Sequence, residues 1–112
     1  MNTADVATAD SCHVNGDFST NGTLAGSSET VAYGPFTLST CTGAFTGTLS
    51  YSAPNFLRVR LEKQNAGGSW TTADGPTTSI GYTGGPGTFR YVVQNLLSTG
   101  ASWSLAGHRP IT

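Results

Sequence analysis

Between Gly81 and Gly107 the chain reads GYTGGPGTFRYVVQNLLSTGASWSLAG, a stretch that permits little except two β-strands and their turns. Gly84, Gly85, Pro86 and Gly87 make a turn that few other residue types could build. Phe89, Tyr91 and Val93 then alternate with Arg90, Val92 and Gln94 at the period of a half-buried strand. After a turn ending at Gly100, Trp103 and Leu105 alternate with Ser102 and Ser104, which spells a second strand.

The same alternation recurs upstream. Phe56 to Lys63 is its sharpest instance, with Leu57, Val59 and Leu61 on one face and Phe56, Arg58, Arg60 and Glu62 on the other. Phe45, Gly47, Leu49 and Tyr51 share a face opposite Thr46, Thr48 and Ser50. Thr30 to Leu38 is broken by Gly34 and Pro35, which suits an edge strand or a bulge. Val14 and Phe18 suggest a first edge strand interrupted by a turn at Asn15, Gly16 and Asp17. A Gly-containing connection from Asn65 to Ser69 leads to a strand at Trp70–Ala73. Asp74, Gly75 and Pro76 end that strand, and Thr78 to Tyr82 resumes the sheet. Ser, Thr and Gly make up about two fifths of the chain, and charged residues only 10%. Thr suits pleated surfaces and Gly punctuates turns, so the expectation is an all-β fold. About eight short strands would form two antiparallel sheets packed as a β-sandwich.

At 112 residues the chain has room for one core. The expected organisation is a flexible N-terminal segment or linker at 1–11, one sandwich domain at 12–107 and a C-terminal tail at 108–112. A net charge of −1 gives no electrostatic footprint for nucleic acid or an anionic membrane. Cys12 and Cys41 are the only cysteines, and no His stands at zinc-finger spacing. In a Ser/Thr-rich chain with one Lys they read first as a disulfide of a secreted, extracellular protein, with two buried free thiols as the alternative. Met1 to Asp10 has neither a basic start nor an apolar core, so it is not a signal peptide. Met1 is therefore expected to be an expression start, the natural polypeptide being longer.

No catalytic motif of any specificity occurs. His13 and His108 could be assembled with Ser and Asp residues into a triad on paper, but there is no Gly-x-Ser-x-Gly elbow, so the expectation is a protein that is not an enzyme. No cofactor is implied. Asp10, Asn15 and Asp17 are weak calcium candidates, since they offer oxygen ligands within a short span but not at the spacing of a calcium loop. Trp70 follows a Gly67-Gly68-Ser69 turn and could either present its ring to a ligand or pack inward. Phe56, Arg58, Arg60 and Arg90 project opposite the apolar sets of their strands. They are the remaining binding candidates, against the plainer reading of a solvated face paired with Glu62.

Several segments carry a family likeness: Gly22-Thr23-Leu24, Gly47-Thr48-Leu49-Ser50-Tyr51, Leu57-Arg58-Val59-Arg60-Leu61-Glu62, Gly87-Thr88-Phe89-Arg90-Tyr91-Val92-Val93 and Gly100-Ala101-Ser102-Trp103-Ser104-Leu105. In this order they resemble the bacterial pre-peptidase C-terminal domains, jelly-roll-like sandwiches attached to secreted peptidases and other exported hydrolases. Asn55, Phe56 and Arg58 depart from the many family members that carry Asp just before and within the Leu57 to Leu61 strand, and the acidic calcium ligands of some relatives have no counterpart. The resemblance implies a non-catalytic accessory domain that aids substrate adhesion, secretion or stability. Its partners would be a neighbouring catalytic domain and an insoluble protein or polysaccharide substrate. Two other functions stand beside it. One is a carbohydrate-binding module stacking sugars on Trp70, Tyr82 or Tyr33; the other is a structural sandwich of an adhesin or surface assembly with contacts at Leu96, Leu97 and Phe56.

Overall fold

The protein is described by a computed structural model covering residues 10–51 and 56–111. Nine strands follow one another: Asp10–Ser11 (β1), Val14–Leu24 (β2), Glu29–Leu38 (β3), Cys41–Tyr51 (β4), Leu57–Gln64 (β5), Trp70–Thr77 (β6), Ser79–Gly84 (β7), Gly87–Asn95 (β8) and Ala101–Ile111 (β9). They form two sheets. One has the order β1-β4-β9-β2 with β7 also on β4, and the other the order β3-β8-β5-β6. The all-β sandwich expected from the alternation is therefore present, with one more strand and longer ones than the pattern suggested.

The inner faces are those the alternation marks. Leu57, Val59 and Leu61 from β5 and Phe89, Tyr91 and Val93 from β8 meet Phe45 and Leu49 from β4 and Trp103 and Leu105 from β9; all are buried. Rings dominate this core. Phe18 stacks on Tyr33 with centroids 4.3 Å apart, and Phe45 lies 4.6 Å from Phe89. The Tyr91 hydroxyl crosses between the sheets and donates to the Thr46 carbonyl at 2.9 Å. Gly47 makes the crossing feasible, because a Cβ there would stand 3.1 Å from the Tyr91 ring.

Four boundary expectations need correction. Asn15, Gly16 and Asp17 do not turn: β2 is continuous and pairs residue for residue with β9, from Val14 opposite Ile111 to Leu24 opposite Ala101. Residues 108–111, expected in a tail, are the end of β9 and half of that pairing. Asp10 and Ser11, expected within a loose segment, run parallel to Cys41 and Thr42. Asp74, Gly75 and Pro76 do not end β6; they form a bulge within it, where the register against β5 shifts on either side of Leu61. For β1, β2 and β9 the neighbouring strand supplies backbone partners that local sequence does not reveal, whereas in the β6 bulge the Gly75 amide donates to the Asp74 carboxylate at 2.9 Å.

Cys12 and Cys41 are joined in a disulfide, with Cα atoms 5.0 Å apart. It ties β1 and the approach to β2 onto the start of β4, where the Cys12 amide also donates to the Thr42 carbonyl at 2.8 Å. No helix of the described residues is long and apolar enough to cross a membrane.

Candidate binding face

Pairing of β5 with β8 puts the outward residues of both strands side by side. Arg58 lies opposite Gln94, Arg60 opposite Val92 and Glu62 opposite Arg90. β3 adds Glu29 opposite Gln94 and Val31 opposite Val92, while β6 adds Thr72 opposite Glu62 and Trp70 opposite Gln64. Four of the five binding candidates, Trp70, Arg58, Arg60 and Arg90, thus share the outer face of the four-stranded sheet.

Glu62 is the hub of this face. Arg60 Nε donates to one carboxylate oxygen and Arg90 Nε to the other, each at 2.7 Å. The Glu62 residue is only 6% exposed although its side chain points away from the core. Burial by itself would raise its pKa, but the hydrogen bonds and charges of Arg60 and Arg90 outweigh that and hold it below the ordinary carboxyl value. The Arg60 guanidinium also pairs with Glu29 and donates to Gln94 Oε1 at 3.3 Å. Its own pKa, which burial would lower, is raised by Glu62 and Glu29. Val92 is 2% exposed without joining the core cluster, flanked on this face by Arg60 and Val31. The plainer reading, arginines paired with Glu62, thus describes the centre of the face.

The two ends differ from the centre. At one, the Arg90 guanidinium stacks 4.1 Å from the half-buried Trp70 ring, so Trp70 is neither a core residue nor a bare platform. At the other, Arg58 donates to the Leu57 carbonyl at 2.8 Å and forms no ion pair among the described residues. Phe56 and Leu96, joined through the Leu96 amide and the Phe56 carbonyl at 2.8 Å, stand exposed beside it, 46% and 52%. A shallow depression lined by Ser27, Ser28, Glu29, Gln94 and Leu96 adjoins this end.

Other candidates are placed elsewhere. Tyr33 stacks on Phe18 and accepts a hydrogen bond from Arg109 Nε at 2.9 Å, and Tyr82 packs on Phe45, so neither is an open stacking platform. Leu97 packs partly against the core. His108 and Asp17 are opposite one another in the β2–β9 ladder, with Nδ1 and Oδ1 2.5 Å apart on the exposed outer face of the other sheet. Among the described residues no group of three or more His, Cys, Asp or Glu side chains could hold a metal ion. Of the weak calcium candidates, Asp17 is therefore committed to His108, while Asp10 and Asn15 lie on β1 and β2 beside Cys41 and Pro110.

One structural residue escaped the sequence reading. Asn95, 1% exposed at the end of β8, donates through Nδ2 to the carbonyls of Leu24, Ala25 and Thr99 at 3.0–3.2 Å. Its Oδ1 accepts from the Leu97 amide at 2.9 Å. It pins the β2–β3 turn and the β8–β9 turn to the same end of the sandwich. A lone Asn before Leu-Leu-Ser-Thr-Gly looks like turn chemistry, and nothing local distinguishes it.

No protein-family model matches the chain, and no curated protein matches it. Among solved structures it is similar to the Yersinia pseudotuberculosis-derived mitogen, with a TM-score of 0.67 and 16% identity over 84% of this chain and 86% of that one. That likeness is one of fold, a two-sheet β-sandwich of comparable extent. At 16% identity it shows the fold alone.

Proposed function

We propose that the protein is a non-catalytic accessory domain of an exported hydrolase, one that adheres to a protein substrate through the outer face of its four-stranded sheet. The observation that carries this reading is the convergence of Arg58, Phe56 and Leu96 at one end of that face and Arg90 on Trp70 at the other, across strands that are adjacent in space. Guanidinium groups beside exposed apolar side chains suit a peptide, whose carboxylates and carbonyls take the donors while its side chains take the apolar surface. The disulfide fits an oxidising, extracellular setting. The strand-and-turn likeness to the pre-peptidase C-terminal domains supports attachment to a peptidase.

The carbohydrate alternative has less behind it, because the rings it would use are packed in or against the core or covered by a guanidinium. Pull-down on insoluble collagen and casein, with cellulose and chitin as counter-probes, tests the proposal. Retention on the protein matrices is expected, falling several-fold for Arg58→Ala and Phe56→Ala with the melting temperature unchanged. Retention on polysaccharide alone, or equal retention of every variant, would overturn it.

A further inference from the structure

The edges of the two sheets are blocked against further pairing, with one exception. β3 is broken by register shifts around Tyr33 and carries Pro35. β6 bulges and carries Pro76. β7 is six residues long, and its Gly81 amide is already taken by the Asp74 carboxylate at 3.0 Å. β1 is two residues. These are the devices by which sheet edges avoid unwanted strands. β2 has none of them. It runs eleven residues without a bulge, contains no Pro, Lys or Arg, and ends its sheet, with no strand on its far side among the described residues.

Its sequence, VNGDFSTNGTL, is also self-complementary about its midpoint, Ser19. Turned antiparallel on itself in the full-length register, it sets Asn15 against Thr23, Asp17 against Asn21 and Ser19 against Ser19 on the outer face. On the inner face it sets Val14 against Leu24, Gly16 against Gly22 and Phe18 against Thr20. On the outer face polar residues meet polar and the single carboxylate meets an amide rather than its own copy, while on the inner face glycine meets glycine. Sliding one strand by four residues, which moves the axis to Asp17, would oppose the two Asp17 carboxylates directly, which is unfavourable. Val14, 55% exposed in the single chain, gains the Leu24 side chain of the other copy as a cover.

We propose that two copies of this chain associate about a two-fold axis through Ser19, β2 pairing antiparallel with β2 so that the five-stranded sheets merge into one continuous ten-stranded sheet. The interface is isologous, as closed dimers require. It leaves the outer face of the four-stranded sheet free in both copies, so the dimer and the binding reading stand or fall separately.

Sedimentation velocity over a concentration series tests the association, and two substitutions test its register. Ser19→Lys places two ammonium groups opposite each other at the axis and should weaken the dimer about fivefold or more. Thr48→Lys, on the same outer face but on β4, should leave it unchanged. Directly opposed residues of an antiparallel pair have Cα atoms about 4.5–5.5 Å apart, within disulfide reach. Ser19→Cys should therefore cross-link into a covalent dimer under mild oxidation, and Thr23→Cys should not. A protein that sediments as a monomer throughout, a dimer indifferent to Ser19→Lys, or equal cross-linking of the two cysteine variants would overturn the proposal.

Discussion

Glu62 shows how a surface position becomes a buried one. Alternation assigns it to the outer face, and it is there, but two arginines close over it and leave it 6% exposed. Because its folded pKa lies below the ordinary value of 4.5, its contribution to stability is complete above the unfolded pKa and is lost as pH falls through the folded one. Glu62→Gln should thus cost about 1–2 kcal/mol at neutral pH. The gap between variant and parent should narrow once the pH drops below the ordinary carboxyl value and close below the lowered folded pKa. Urea melts at a series of pH values read both. A gap that persists unchanged into acid would mean that the carboxylate charge is not what matters. Asn95 makes the complementary case for a neutral group. Asn95→Leu strands the Leu24, Ala25 and Thr99 carbonyls and the Leu97 amide, and a loss of about 2–3 kcal/mol is expected in the same assay. A loss under about 0.5 kcal/mol would mean that water replaces the side chain without penalty. Of these two residues the sequence showed one, since Glu62 belongs to a strand pattern while Asn95 acts through three segments that only the fold brings together.

At the scale of elements, the strands that alternate cleanly are the ones that were legible. β5 and β8 lie at the centre of their sheet, each flanked by two strands, and their inner residues are those the pattern names. β2 and β6 were misread because Asn-Gly-Asp and Asp-Gly-Pro are turn formers in isolation. Complete pairing with β9 overrides that preference in β2, and a bulge absorbs it in β6. The N-terminal elements depend further on the Cys12–Cys41 bond, which closes a loop of sequence separation 29 containing all of β2 and β3. Replacing both cysteines by Ser should lower stability by about 3 kcal/mol through the freed unfolded chain. In calorimetry this corresponds to a fall of about 10 °C or more in melting temperature. An unchanged melting temperature would mean that the β1–β4 and β2–β9 pairings hold this end without the cross-link.

For the molecule as a whole, the outer faces of the two sheets have different chemistry. One carries the Arg/Glu/Trp cluster; the other, formed by β2, β9, β4 and β7, carries mainly Ser, Thr, Asn and Gly around the Asp17–His108 pair. Calcium has no converging set of acidic ligands on either among the described residues. Melting temperatures in excess calcium and in excess EDTA should therefore agree. A rise of several degrees with calcium would restore Asp10, Asn15 and Asp17 as a site.

The sequence alone determined the class of fold, the two cysteines available for bridging and the inward face of the central strands, because period two and turn composition are local properties. It also named the side chains that stand on the outer face. Tertiary structure decided everything that depends on which strands are neighbours: that β5 lies beside β8, so that Arg60 and Arg90 share Glu62; that Trp70 lies under Arg90; and that β9 continues to Ile111. Strand order is set by long-range pairing and by the packing of one sheet on another, and those energies are not written in any single segment.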